Sequence, residues 1–293
     1  MAAGLARSDR RFGLLLAGPG LAAMLLVVLF PLVFIAWTSL YEFTLLHPVH
    51  DRFVGLANFT AALGDGGFRH ALRVTLAFVV AIVLLEFLLG LAVALALDSV
   101  QRGRAIYYAI LLCPLLMNPV VVGLIWRMFL HPTQGILNYV IGLVGIAPVN
   151  WLGDPAVAFW TLVGVDIWHQ VSFMVVLLLA GLAALPPEPY EAARMEGAGP
   201  IRAFFWITLP LLRPVITVTL LIRLIFAVRT YDLVYIMTRG GPGNATDLVS
   251  YFIYRQAFVT LNLGRAAAMS LVLLAIVLPL TAWLHRYMRS LRA

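Results

Sequence analysis

The sequence predicts an all-α integral membrane protein with six transmembrane helices, and three observations carry that prediction. Of its 293 residues, 63% are hydrophobic and 11% are charged, against roughly 25% charged residues in soluble domains. The mean hydropathy is +0.99 over the whole length, so the apolar character is not confined to one anchor. Six stretches supply the roughly 20 mostly apolar residues that a spanning helix needs: 12–40, 72–97, 105–130, 156–185, 214–237 and 266–287.

The first stretch follows Arg7, Arg10 and Arg11, the flank expected of a signal peptide. Its apolar run is too long for one and no small-residue cleavage site follows, so it reads as a retained span. Arginine placement sets the orientation. With the N-terminus inside, the inner segments hold Arg7, Arg10, Arg11, Arg102, Arg104, Arg194, Arg202, Arg213, Arg286, Arg289 and Arg292. The outer segments hold Arg52, Arg69, Arg73, Arg127, Arg239, Arg255 and Arg265. The 11-to-7 bias favours both termini in the cytoplasm. Trp37, Tyr41, Trp151, Trp206 and Tyr287 stand near span ends, where aromatic anchors belong. Pro31, Pro114, Pro119 and Pro279 fall inside spans and predict bent helices. The resulting division is a cytoplasmic tail at 1–11, a first span at 12–40 and an extracytoplasmic loop at 41–71. A five-helix core at 72–287 contains a cytoplasmic loop at 186–213, and a cytoplasmic tail closes the chain at 288–293.

Composition also excludes chemistry. All 20 basic residues are arginine, which rules out a P-loop lysine or a lysine Schiff base on this chain. The net charge of +7 is spread beside apolar segments, so it belongs to membrane topology and not to a nucleic-acid surface. Cys113 is the single cysteine; it can form no intrachain disulfide and reads as a buried, inert thiol.

The loop PPEPYEAARMEGAGPIRAFFWITLPLLRP, 186–214, carries the most information. Its prolines end span four and suit the first turn of a new helix. Glu188 and Glu191 then lie at that helix's positive end. Ala192 and Ala193 present a small surface, and Gly197 and Gly199, followed by Pro200, break the helix. A second short stretch carries Phe204, Phe205 and Ile207 towards Leu209 and Pro210. Composition alone allows this hairpin to rest on lipid. Its spacing, Glu191-Ala192-Ala193, Gly197, then Ile207-x-Leu209-Pro210, resembles the "EAA" motif of ABC importer permeases. That resemblance implies a type I permease fold whose coupling helix docks on an ATP-binding subunit through Glu191, Ala192, Ala193, Arg194, Gly197, Ala198, Leu209 and Pro210. The segment TRGGPGNATDLVSYFIYRQAF at 238–258, with LGRAAAMS at 263–270 and FVGLANF at 53–59, is similar to the carbohydrate-uptake permeases, specifically the MalF-like member of their usual pair. Glu196 departs from the Asp that many relatives carry.

Ionisable residues inside spans are costly and face a cavity or a partner. Here they are Glu86, Asp166, His169, Arg223, Arg229 and Asp232. Asp166 and His169, three apart, share a helix face continued by Gln170 and Phe173; Arg229 and Asp232 are also three apart, with Thr230 and Tyr231 between. The family resemblance implies a substrate path between spans four, five and six, which Asp166, His169, Gln170, Phe173, Arg229, Thr230 and Asp232 would line. Two structural pairings compete: Arg229 with Asp232, and Glu86 with Arg223 across spans. Neither Asp166–His169 nor His47–His50 makes a metal site.

The expected function is the transmembrane permease subunit of an ATP-driven ABC importer for a sugar, polyol or oligosaccharide. The resemblance implies a multi-pass protein of a bacterial or archaeal inner membrane, in contact with lipid and no nucleic acid. Its partners would be a MalG-like second permease, an ATP-binding subunit dimer and an extracytoplasmic solute-binding protein. No cofactor is expected on this chain, with ATP and Mg held by the ATPase. The arginines of span five leave a glycerol-phosphate-type solute open. An intramembrane enzyme using Asp166 and His169, or an ion-coupled carrier using Asp232 or Glu86, are the readings from other classes; the first lacks any GxSxG, HExxH or paired-carboxylate motif.

Overall fold

The computed structural model describes residues 2–100 and 102–290, with side chains for 17–46, 52–100, 102–283 and 286. The side chains of Arg7, Arg10, Arg11, His47, His50, Tyr287 and Arg289, and all of Arg292, lie outside the described residues. The chain runs through α1 (Ala2–Ser39), β1 (Tyr41–Thr44), β2 (His47–Phe53), α2 (Ala57–Gly64), α3 (Gly66–Ser99), α4 (Arg104–Leu115), α5 (Pro119–Phe129) and α6 (Ile136–Leu143). It continues through α7 (Pro155–Ala183), α8 (Glu188–Met195), α9 (Pro200–Ala203), a π turn (Phe204–Thr208), α10 (Leu209–Val228), α11 (Asp232–Met237), α12 (Val249–Phe258) and α13 (Leu263–Ser290). Two units divide it: Met1–Asp65 with Ile253–Leu274, and Gly66–Phe252 with Ala275–Ala293.

In the first unit α1 passes unbroken through Pro19 and Pro31. The 41–71 loop contains an antiparallel hairpin that an all-α reading did not foresee, with Tyr41 opposite Phe53 and Glu42 opposite Arg52. Tyr41 stacks on Trp37 and meets the edge of Phe53, at 5.0 and 5.4 Å between centroids. Asn58 explains its motif: its Nδ2 donates to the carbonyls of Ser39 and Tyr41, both at 2.9 Å, joining the end of α1 to the hairpin. Arg265 closes the cluster through Asp65 at 2.9 Å and the Ala61 carbonyl at 3.2 Å. The FVGLANF and LGRAAA segments thus meet in one hydrogen-bonded knot.

In the second unit α3 and α7 form the most extensive helix pair. Leu91, Ala94, Leu97, Val175, Leu178, Leu182 and Leu212 build an apolar core where α10 joins them. Small residues let these helices approach: a Cβ on Gly90 would lie 2.7 Å from that of Met174, and one on Gly181 2.8 Å from Val215. Asp154 caps α7 by accepting from the amides of Ala156 and Val157, with Pro155 at the first turn.

Among the described residues, five helical runs are long and apolar enough to cross a membrane, or six when α4 and α5 count as one broken span. The expected third span is therefore two helices meeting at 91°. Pro114 removes one hydrogen-bond donor near the end of α4. Asn118 then starts a new helix, its side chain accepting from the Val120 amide at 2.9 Å with Pro119 in the first turn. Pro279, by contrast, sits inside an unbroken α13. The expected fifth span begins at Leu209, upstream of position 214, and Pro214 lies within it. Cys113 is exposed on α4, correcting the buried reading; apolar neighbours in sequence do not bury a thiol on an outward-facing helix side.

Candidate functional site

Three spans meet at one buried charge cluster. Arg223 on α10 is 1% exposed, and Glu86 on α3 and Asp166 on α7 are 0% and 3% exposed. The guanidinium bonds both carboxylates, with Nη2 2.8 Å from Glu86 Oε1 and further contacts from Nε to Glu86 and from Nη2 to Asp166. The Glu86–Arg223 pairing was anticipated as an alternative; the arrival of Asp166 was not. A fork of planar donors suits two carboxylates better than a lysine ammonium would.

Beside the cluster lies a cavity of about 350 Å³ lined by Pro119, Asp166, His169, Gln170, Arg223, Phe226, Arg229, Thr230, Tyr231, Asp232 and Leu233. That volume falls within the roughly 300–1,000 Å³ of small-molecule sites. Six of the seven residues expected on a substrate path stand in its wall. Phe173 does not: it packs edge-on behind Phe226 at 6.0 Å, and Phe226 faces the cavity instead. Asp166 is engaged by Arg223. His169 is 2% exposed, with Nε2 3.1 Å from the Met117 carbonyl and Nδ1 3.0 Å from Gln170 Nε2.

Arg229 and Asp232 do not share one helix face. α10 ends at Val228, Arg229 caps it, and α11 restarts at Asp232. Ser250 Oγ takes up the Thr230 carbonyl exposed at this break, at 2.5 Å. Among the described residues, Arg229 and Asp232 form no ion pair with each other or with any other side chain, and both are exposed. Sequence spacing assumed a continuous helix that the backbone does not form. Tyr231 and Leu233, also missed, reach the wall because the chain unwinds at 229–231, just before α11. A larger hollow of about 510 Å³, lined by Trp126, Leu130, Trp151, Trp160 and neighbours, is almost wholly apolar and offers little to a hydroxylated solute.

The second candidate surface is the 186–213 loop. Glu191, Ala192, Ala193 and Arg194 lie on α8, whose first turn carries Glu188 and Glu191 and whose last turn carries Arg194. The charges match the helix dipole at both ends. Gly197 has φ +76°. Its amide donates to the Arg194 carbonyl at 3.0 Å and that of Ala198 to Ala193 at 2.8 Å, the paired bonds of a Schellman ending. A left-handed residue is required there and glycine supplies it. Leu209 and Pro210 open α10 and sit apart from α8 in the chain; the π turn joins α9 to α10 without a gap. Tyr190 Oη donates to Thr208 Oγ1 at 3.0 Å and ties the two arms, a link no local pattern announces. Met195, 90% exposed, extends the apolar tip.

A polytopic helical chain with a polar cavity at two interrupted spans and a helical hairpin at one end is a membrane permease. The family described as "Binding-protein-dependent transport system inner membrane component" matches residues 86–293, and the chain belongs to it. The "Trehalose/maltose transport system permease protein MalF" of Thermococcus litoralis is 37% identical over 276 residues, covering 93% of this chain and 92% of the relative. The "sn-glycerol-3-phosphate transport system permease protein UgpA" of Agrobacterium fabrum is 34% identical over 272 residues, covering 90% and 92%. The "Sulfoquinovosyl glycerol transport system permease protein SmoG" of Agrobacterium fabrum is 33% identical over 282 residues, covering 96% and 92%. A bacterial ABC transporter that imports the acidic polysaccharide alginate shares the fold, with a TM-score of 0.85 over 98% of both chains at 22% identity. This chain is a permease component of an ABC importer in the inner membrane.

Proposed function

We propose that this permease carries a sugar, polyol or oligosaccharide through the cavity between the α4–α5 break, α7 and the α10–α11 break. The observation that carries the reading is the gathering of Gln170, Arg229, Thr230 and Asp232 beside two helix interruptions. Discontinuous helices build solute sites in transporters because unwound backbone and free polar side chains meet there. A MalG-like second permease would supply the other half of the path, and a solute-binding protein would deliver cargo from outside. ATP and Mg would be held by a separate nucleotide-binding dimer, whose closure α8 would transmit to the spans, switching the cavity between inward and outward access. Both termini and the 186–213 loop would then be cytoplasmic.

A second reading is favoured by one observation. Arg223 is matched by two carboxylates, whereas the exposed Arg229 has no carboxylate partner among the described residues. Its free guanidinium suits a phosphate, sulfonate or uronate group, in line with the glycerol phosphate and sulfoquinovosyl cargoes named for two relatives.

Uptake into proteoliposomes holding the complete importer tests both. Single alanines at Gln170, Arg229, Thr230 and Asp232 should impair uptake in complexes that still assemble and hydrolyse ATP; normal kinetics in all four would reject the path. Arg229→Gln should selectively reduce uptake of sn-glycerol 3-phosphate relative to trehalose if the solute is anionic, and leave their ratio unchanged if it is neutral.

A further inference from the structure

We propose that His169 and Ser172 are positioning residues that clasp the broken third span and hold it bent, thereby fixing one wall of the transport cavity. The proposal rests on the reading of that cavity as the solute path, and it gives His169 a role other than solute contact.

The chemistry of His169 is fixed by its neighbours. Its Nε2 lies 3.1 Å from the Met117 carbonyl oxygen. A carbonyl only accepts, so Nε2 carries the hydrogen and donates. Nδ1 is then the acceptor of the neutral ring, and Gln170 Nε2 stands 3.0 Å from it. Both ring nitrogens are occupied and the residue is 2% exposed. A solute hydroxyl could bond this imidazole only by breaking one of these contacts.

The bonded carbonyl has a specific place. Met117 lies in the gap between α4 and α5, outside both helices. Ser172, three residues beyond His169 and therefore on the same face of α7, donates its hydroxyl to the Leu111 carbonyl. Leu111 and Met117 stand on either side of Pro114, where the helical ladder is weakened. One face of α7 therefore grips the span on both sides of that weak point, with a donor for each carbonyl. The Met117 carbonyl, freed in the gap, must be satisfied by another protein group, and His169 does so; the Leu111 carbonyl inside α4 takes Ser172 as a further donor, and the span between the two grips carries the 91° bend.

The clasp reaches the cavity directly. Pro119, the first residue of α5, lines it, as do His169 and Gln170. Changing the bend moves Pro119, and displacing His169 releases the Gln170 amide. Asp166, one turn back on the same α7 face, is held by Arg223, so α7 is an anchored post against which α4 and the gap are gripped, while α5 packs on α11 and Arg127 bonds the Ile236 carbonyl at 3.1 Å.

The test reads the bend itself. The chain's one cysteine, Cys113, lies on α4, is exposed, and takes one spin label. Met128→Cys on α5, also exposed, takes the other, in an assembled importer whose partner chains carry no cysteine. An unbroken helix would separate these backbone positions by about 22 Å, and a right-angled break at Met117 by roughly 18 Å. The native pair should give a narrow distribution at the short distance. His169→Ala and Ser172→Ala should each broaden it and shift it towards the long one, while His169→Gln, which keeps an N–H donor, should restore it. Should His169→Ala fail to assemble, Ser172→Ala and His169→Gln are read alone with the same expectations. An unshifted distance in Ser172→Ala, or in an assembled His169→Ala, would overturn the proposal, as would failure of His169→Gln to restore it. Normal uptake by all four cavity variants, at Gln170, Arg229, Thr230 and Asp232, would instead remove the solute path and leave the measured bend standing.

Discussion

Replacing Arg223 with methionine should be strongly damaging to the span interior. Among the described residues the guanidinium is the cation that bonds Glu86 and Asp166, and all three groups are buried. Its removal leaves two carboxylates facing each other without a counter-charge, and breaking a buried pair in this way costs about 3–5 kcal/mol. At about 1.4 kcal/mol per decade that is roughly two to three and a half decades in the ratio of assembled to unassembled chain. The opposite truncation should be milder. Glu86→Gln leaves Asp166 and Arg223 balanced one to one, and its amide oxygen can still accept from the guanidinium. Arg223→Lys should fall between, since a single ammonium cannot span both acids. Neutralising all three together, with Glu86→Gln, Asp166→Asn and Arg223→Gln, should recover most of the loss because no uncompensated charge remains. The assay is the amount of intact importer recovered from membranes and the temperature at which half of it survives heating. Wild-type yield and heat tolerance in Arg223→Met, or greater damage from Glu86→Gln than from Arg223→Met, would refute the assignment of this cluster as the clamp between α3, α7 and α10.

Gly197→Arg should insert and pair with its sister permease yet fail to retain the ATPase, or retain it without stimulation by loaded binding protein; co-purification and ATP hydrolysis check this. The space around a Cβ at 197 is open, but φ is +76°, so the damage comes from the lost left-handed ending of α8 and from a bulky group at the docking surface, not from internal crowding. Cysteines at Ser8, Gly199 and Ser290, in a Cys113→Ala background, should resist an impermeant thiol reagent in intact cells, and outside labelling of Gly199→Cys would reverse the assigned orientation.

The number of spans was legible because hydropathy sums over twenty residues and tolerates local error. The hairpin at 186–213 was legible for another reason: its proline start, acidic first turn and Gly197 ending are all local devices within a dozen residues. Breaks inside spans were half visible. Pro114 and the Asn118-Pro119 pair announce the first. Nothing comparable announces the second, because Arg229-Thr230-Tyr231 contains neither glycine nor proline and reads as ordinary helix. The same blindness produced the false pairing of Arg229 with Asp232, and it hid the β-hairpin after α1, whose pairing joins Tyr41 to Phe53 across twelve residues.

The interior polar residues show where sequence reading reaches its physical end. Each is costly in a lipid-facing helix, so each must have a partner, but the identity of the partner depends on the rotation of one span against another. The structure divides these residues into three groups. Glu86, Asp166 and Arg223 satisfy one another. His169, Ser172 and Ser250 satisfy backbone carbonyls near the two interrupted spans. Gln170, Arg229, Thr230 and Asp232 remain facing the cavity. For His169 and Ser250 this follows from the interruptions: a chain that unwinds where water is scarce must find donors for the carbonyls it frees. Interrupting a span to expose a few polar groups to solute therefore commits other polar groups nearby to the backbone. A polar residue in such a span is as much the consequence of a broken helix as a contact for cargo, and only burial and bonding at each atom separate the two.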